Sequence, residues 1–114
     1  MRILLDECLP KDLARQLPGH DVKTVPQAGW ASISNGKLLR KLVRLIADSR
    51  KFEVFLTVDK RLPQQNPIRT LPFAIVVLRA RSNRMIHVLP FAPEVLRRMP
   101  LFQPGHAYVL TQPD

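Results

Sequence analysis

Arg2-Ile3-Leu4-Leu5-Asp6-Glu7-Cys8-Leu9-Pro10 is the stretch whose reading decides the fold. A short apolar run that ends in two carboxylates and a proline has the pattern of a buried strand delivering acid to its own carboxyl end. Lys11, Asp12 and Leu13 follow at once, so a helix is expected to begin at Pro10, whose missing N–H is no loss at a first helical position. Strand, acidic turn and helix in that order predict an open α/β sheet, which binds ligands at the carboxyl edge of its strands.

A second stretch repeats the plan. Phe52-Glu53-Val54-Phe55-Leu56-Thr57-Val58-Asp59-Lys60 is a mostly apolar strand running into an acid. If the strand order is doubly wound, the first strand lies beside this one and the chain reverses its winding between them. Asp6 and Asp59 are then brought together at one sheet edge. Two carboxylates converging without a lysine between them suggest a divalent cation. Mg²⁺ and Mn²⁺ prefer oxygen ligands and keep several waters, so few protein ligands suffice. Such an ion beside a phosphate can support phosphodiester hydrolysis.

The other segments fit around these two. Leu13 and Leu17 sit four apart on one helical face, and Pro18-Gly19 ends that helix. Asp21 to Val25 alternates polar and apolar residues as a half-buried strand does, which implies a parallel pair with the first. Ser34 is a good N-cap for a helix with Leu38, Leu39, Leu42, Val43, Leu45 and Ile46 on its apolar side. Its other side carries Lys37, Arg40, Lys41 and Arg44, a stripe able to track phosphates or seat an acidic partner, or simply to face water. Arg61 to Pro72 reads as an irregular loop, and Phe73 to Leu78 as a buried strand. Ser82 or Asn83 is positioned to cap a helix near Met85, which Pro90 and Pro93 should split. His106 to Thr111 completes the chain's strands, at an edge.

Composition narrows the class. At 114 residues the chain has the size of one small domain, read as spanning 1–114. No apolar run approaches the roughly 20 residues of a membrane helix, and Asp6 and Glu7 interrupt any signal-like segment, so a cytoplasmic location is expected. Cys8 is the single cysteine, which excludes an internal disulfide or a thiolate cluster and favours a packing role over a nucleophile. Eighteen Lys and Arg against nine Asp and Glu leave a net charge of +9 and a pI near 10.9, which favours RNA or DNA as partner. Arg79 ends the most apolar strand and is placed to bind a phosphate or to neutralise Asp59; Lys60 and Arg81 join it as candidate nucleic-acid contacts.

Asp6 to Pro10 after the first strand, the loop through Gly29, the strand end Leu56-Thr57-Val58-Asp59-Lys60 and Val77-Leu78-Arg79 together resemble the small bacterial PIN-like proteins related to VapC-type toxin ribonucleases. The resemblance covers nearly the whole chain. It implies a three-layer α/β/α, Rossmann-like domain with a mainly parallel sheet of four to five strands. It also implies a Mg²⁺- or Mn²⁺-dependent endoribonuclease with a place in a toxin–antitoxin pair. By position, Asp6 and Asp59 match the family's core acids and metal ligands, and Glu7 its second acid in the first turn. Asn35 stands where the family usually has the acid that completes the site, offering a neutral oxygen and no charge. The alternative is a catalytically impaired PIN-like protein that binds nucleic acid or an antitoxin. An acidic antitoxin and a second copy of the chain are the candidate protein partners.

Overall fold

Five runs of β-branched and aromatic residues become the strands of one sheet: β1 (Arg2–Leu5), β2 (Asp21–Thr24), β3 (Val54–Thr57), β4 (Ala74–Leu78) and β5 (Ala107–Leu110). The computed structural model describes residues 1–29, 39–64 and 68–112, with the backbone alone for 39–42. The strands lie in the order β2-β1-β3-β4-β5, every pair parallel. The chain winds outward from β1 to β2, then crosses back to β3 on the other side of β1. Winding therefore changes direction between β1 and β3, the adjacency the two acidic strand ends require. Leu5 is in register with Leu56 across that junction.

Both faces of the sheet are covered, which is why β1, β3 and β4 read as nearly unbroken apolar runs. On one face Ile3, Leu5, Val54, Leu56, Val76 and Leu78 pack against Leu13, Leu17, Val88, Phe91 and Val95. On the other, Leu4, Phe55, Ile75 and Val77 meet Val43 and Ile46 of helix α1 (Leu39–Ser49), with Phe52, Leu62, Leu71 and Phe73 closing the margin. Phe55 and Phe73 meet edge to face, their centroids 6.4 Å apart.

The helical segments differ from the sequence expectation in detail. The segment after Pro10 is a 3-10 helix, Lys11–Gln16, and Pro10 sits at its N-cap in extended geometry instead of at the first helical position. Between Pro10 and Pro18 there is room for only about two turns, and the tighter winding still buries Leu13 and Leu17. Near the carboxyl end the prolines divide the helix as expected: α2 (Met85–Val88), a 3-10 turn at Leu89–Phe91, α3 (Ala92–Arg98) and a further 3-10 turn at Met99–Leu101. Arg84, and neither Ser82 nor Asn83, is the N-cap of α2. Ser82 acts from two residues further back, its Oγ accepting the Arg84 N–H at 3.1 Å. The helix predicted from Ser34 is described from Leu39 onward; Ser34 and Leu38 lie outside the described residues. Gly105 turns the chain into β5 at φ 78°, where a Cβ would stand 2.8 Å from the Arg69 carbonyl oxygen, so glycine is required there.

Candidate functional site

The site is built where β1 and β3 end together. The Asp6 N–H donates to the Leu56 carbonyl at 2.9 Å, carrying the β1–β3 ladder one residue past the strand. The Leu9 N–H then bonds the Asp6 carbonyl at 2.9 Å and closes the turn. Asp6 is thereby held at the sheet edge, the residue only 5% exposed.

Thr57 organises the acids. Fully buried at the end of β3, its hydroxyl donates to Asp6 Oδ2 at 2.6 Å and accepts the Asp59 N–H at 3.0 Å. A buried polar group of this kind is tolerated because both its hydrogen-bonding roles are filled. The consequence is that Asp6 and the backbone of Asp59 share one oxygen. Burial pushes the Asp6 carboxyl above its usual range, and the Asp59 charge adds to this; the bonds from Thr57, Cys8 and the Glu7 backbone act in the opposite sense. Burial and then the neighbouring Asp6 carboxylate raise the Cys8 thiol to about 11. Cys8 is therefore protonated at neutral pH, a poor nucleophile suited to packing.

Asp59 is half-buried and turned partly toward its own loop. Its Oδ1 accepts the Arg61 N–H at 2.9 Å and lies 3.4 Å from Arg61 Nε. The Arg61 side chain is 71% exposed, so the ion pair is a weak one. Asp59 Oδ2 enters no hydrogen bond or ion pair among the described residues. Arg79 does not neutralise Asp59. It is exposed, its N–H continuing the β4–β5 ladder to the Leu110 carbonyl at 2.9 Å.

Glu7 is half-buried, yet its Oε2 is shielded from solvent and has no hydrogen-bond partner among the described residues. It lines a cleft of about 410 Å³ together with Asp6, Leu9, Lys11, Thr24, Pro26 and Gln27. Thr24 and Gln27 brace the far wall, the Thr24 N–H donating to Gln27 Oε1 at 2.9 Å and the Gln27 N–H to Thr24 Oγ1 at 3.3 Å. Lys11 lines the cleft but forms no ion pair with Asp6 or Glu7 among the described residues.

The remaining predicted residues fall into three groups. Lys60 and Arg81 are exposed beyond β3 and β4, at the same sheet edge as Asp6. Arg44 is exposed on α1, which covers one face of the sheet. Asn35 and Lys37 lie outside the described residues, as do the side chains of Arg40 and Lys41. Sequence reading missed Thr57 as the link between the acids. Its signal was a lone hydroxyl in an otherwise apolar strand, two residues before the acid.

The donor chemistry suits a small hard cation. Asp6, Glu7 and Asp59 supply oxygens alone, and two of the three side chains retain an oxygen without a partner among the described residues. No group of three His, Cys, Asp or Glu side chains gathers into a complete ligand set among those residues. An ion held here would take one or two carboxylates and fill its other positions with water or phosphate, which is how Mg²⁺ is commonly bound. No helix among the described residues is long and apolar enough to cross a membrane. Comparison with family models, curated proteins and solved structures returns no match to this chain.

Proposed function

We propose that the chain is a PIN-like, metal-dependent ribonuclease in which Asp6 and Asp59 hold Mg²⁺ or Mn²⁺ at the junction of β1 and β3. The observation that carries this reading is Asp6 itself: an acidic residue 5% exposed, in a chain of net charge +9, with no basic partner among the described residues. Burying such a group costs several kcal/mol unless something compensates it, and the bonds from Thr57, Cys8 and the Glu7 backbone offset only part of that. A cation from solution supplies the rest.

Each residue then has a distinct task. Asp6 would be one ligand of the cation, and the bonds from Thr57, Cys8 and the Glu7 backbone fix the orientation of that carboxylate. Asp59 contributes Oδ2 while Arg61 holds the other oxygen in place. Glu7, which lines the cleft beside Asp6, is the group that would accept the proton of an attacking water. A bound divalent ion would supply charge stabilisation at the phosphodiester and lower the pKa of water. The net charge of +9 also suits an acidic antitoxin as protein partner.

A second reading, a nucleic-acid-binding protein impaired in catalysis, draws on the Asp59–Arg61 pair and on the neutral Asn35. Metal removal separates the two. Incubated with a mixed-sequence single-stranded RNA, the protein is expected to cleave in 1–10 mM Mn²⁺ (about the range that saturates a weak carboxylate site) and to lose cleavage in excess EDTA. Binding without cleavage under both conditions would establish the second reading instead.

A further inference from the structure

Four of the described arginines are matched by a carboxylate: Arg2 by Glu53, Arg61 by Asp59, and Arg97 and Arg98 both by Glu94. Arg15, Arg44, Arg50 and Arg69 have no ion-pair partner among the described residues and are spread along the sequence, whereas the unpaired arginines after β4 are clustered. Arg79, Arg81 and Arg84 fall within six residues, all exposed, and none has an ion-pair partner among the described residues. This segment connects the carboxyl end of β4 to α2, so the three charges sit on the same sheet edge as Asp6. Ser82 holds the turn: its hydroxyl accepts the Arg84 N–H at 3.1 Å and lies 2.6 Å from His87 Nδ1. Ala80 and Met85 anchor it on the core cluster that Cys8 and Val58 also pack against.

The sheet edge is therefore graded in charge. Along the strand order the β1 end carries Asp6 and Glu7, the β3 end Asp59, Lys60 and Arg61, and the β4 end Arg79 to Arg84. Two strand spacings separate β1 from β4, about 10 Å, or roughly three stacked nucleotides at about 3.4 Å each. We infer that a single-stranded phosphodiester chain lies along this edge, its phosphates on Arg79, Arg81 and Arg84 and the scissile group over Asp6. Arg44 lies off this path, because α1 covers a face of the sheet instead of its edge. The location of the scissile group rests on the nuclease reading above; the arginine contacts do not.

The test is salt-dependent binding of a fluorescent single-stranded RNA, measured without metal in an Asp6→Asn background so that the probe stays intact. Replacing Arg79, Arg81 and Arg84 together by Gln is expected to weaken binding roughly tenfold or more at about 0.1 M salt. The slope of log affinity against log salt should flatten by about 2, since each phosphate contact on a single strand contributes about 0.7. Arg44→Gln, and Arg97→Gln with Arg98→Gln, should leave that slope unchanged. The same oligonucleotide made as DNA, bound equally, assigns recognition to the phosphates; weaker binding of DNA adds a ribose contact to them. An unchanged slope in the triple variant, a flattened slope in Arg44→Gln, or equal competition by poly-glutamate of matching length would overturn the assignment. If the wild type never cleaves RNA but the triple variant loses binding as stated, the path stands and the nuclease reading falls.

Discussion

Asp6→Asn is expected to abolish metal-dependent RNA cleavage while raising the melting temperature of the metal-free protein by several degrees at neutral pH. The two effects have one cause. Burial raises the Asp6 carboxyl above its unfolded value, so the folded state holds the proton to higher pH than the unfolded chain does. Stability from this group is fully present below the unfolded value, about 3.9, and is lost as pH rises through the folded one. Where Asp6 is ionised in the folded state, the wild type bears the cost of a buried charge. Asparagine keeps an oxygen to accept the Thr57 hydroxyl and removes the charge, so the penalty disappears. The metal contribution goes with it: an ion supplying several kcal/mol to the transition state, at tenfold per 1.36 kcal/mol, makes the loss of activity about a thousandfold. A variant less stable than the wild type at neutral pH, or one that still cleaves, would refute this account of Asp6. A gain in stability bought with function is the usual signature of a strained binding site.

Thr57→Val is the counterpart, destabilising by about 2–4 kcal/mol. Valine preserves the β-branched shape that fits β3, so packing changes little. What is lost is the donor to Asp6 Oδ2 and the acceptor for the Asp59 N–H, leaving two polar groups without their partner at the end of the sheet. Each such group costs about 1–3 kcal/mol. The deficit is pH-dependent. The Thr57 bond lowers the Asp6 pKa, so its removal lifts an already raised value further. In the variant, stability accordingly falls over a wider range as pH rises, and the gap from wild type is smallest in acid, where Asp6 is neutral in both. Urea unfolding midpoints between about pH 3 and pH 7, spanning the ordinary carboxylate range, measure this. A gap independent of pH would mean that Thr57 acts through packing alone.

Much of this arrangement was legible in the residues. The apolar runs Ile3 to Leu5, Val54 to Leu56 and Ala74 to Leu78 are buried on both faces and so show in composition alone. The acids after β1 and β3 marked the junction because carboxylates rarely close an apolar strand without a reason. The edge strand expected over His106 to Thr111 is β5, which forms over Ala107–Leu110 with Val109 55% exposed. Three-residue details were not legible. A 3-10 helix and an α-helix bury Leu13 and Leu17 alike, so periodicity could not separate them over so short a span. The pairing of Asp59 with Arg61, two residues on, depends on the local turn, which the pattern of charges does not encode. Nor does any pattern distinguish a helix N-cap from a serine acting two residues earlier, as Ser82 does. The predicted contributions of Asn35 and Lys37 fall outside the described residues.

The central claim, that the β1–β3 junction holds a divalent cation through Asp6, is tested most directly by thermal unfolding with and without Mn²⁺, for wild type and Asp6→Asn at the same pH. A ligand at about 100 times its Kd stabilises by about 2.7 kcal/mol, so the wild-type melting temperature should rise clearly with Mn²⁺ and that of Asp6→Asn should not move. An unmoved wild type, or an equal rise in both proteins, would contradict it.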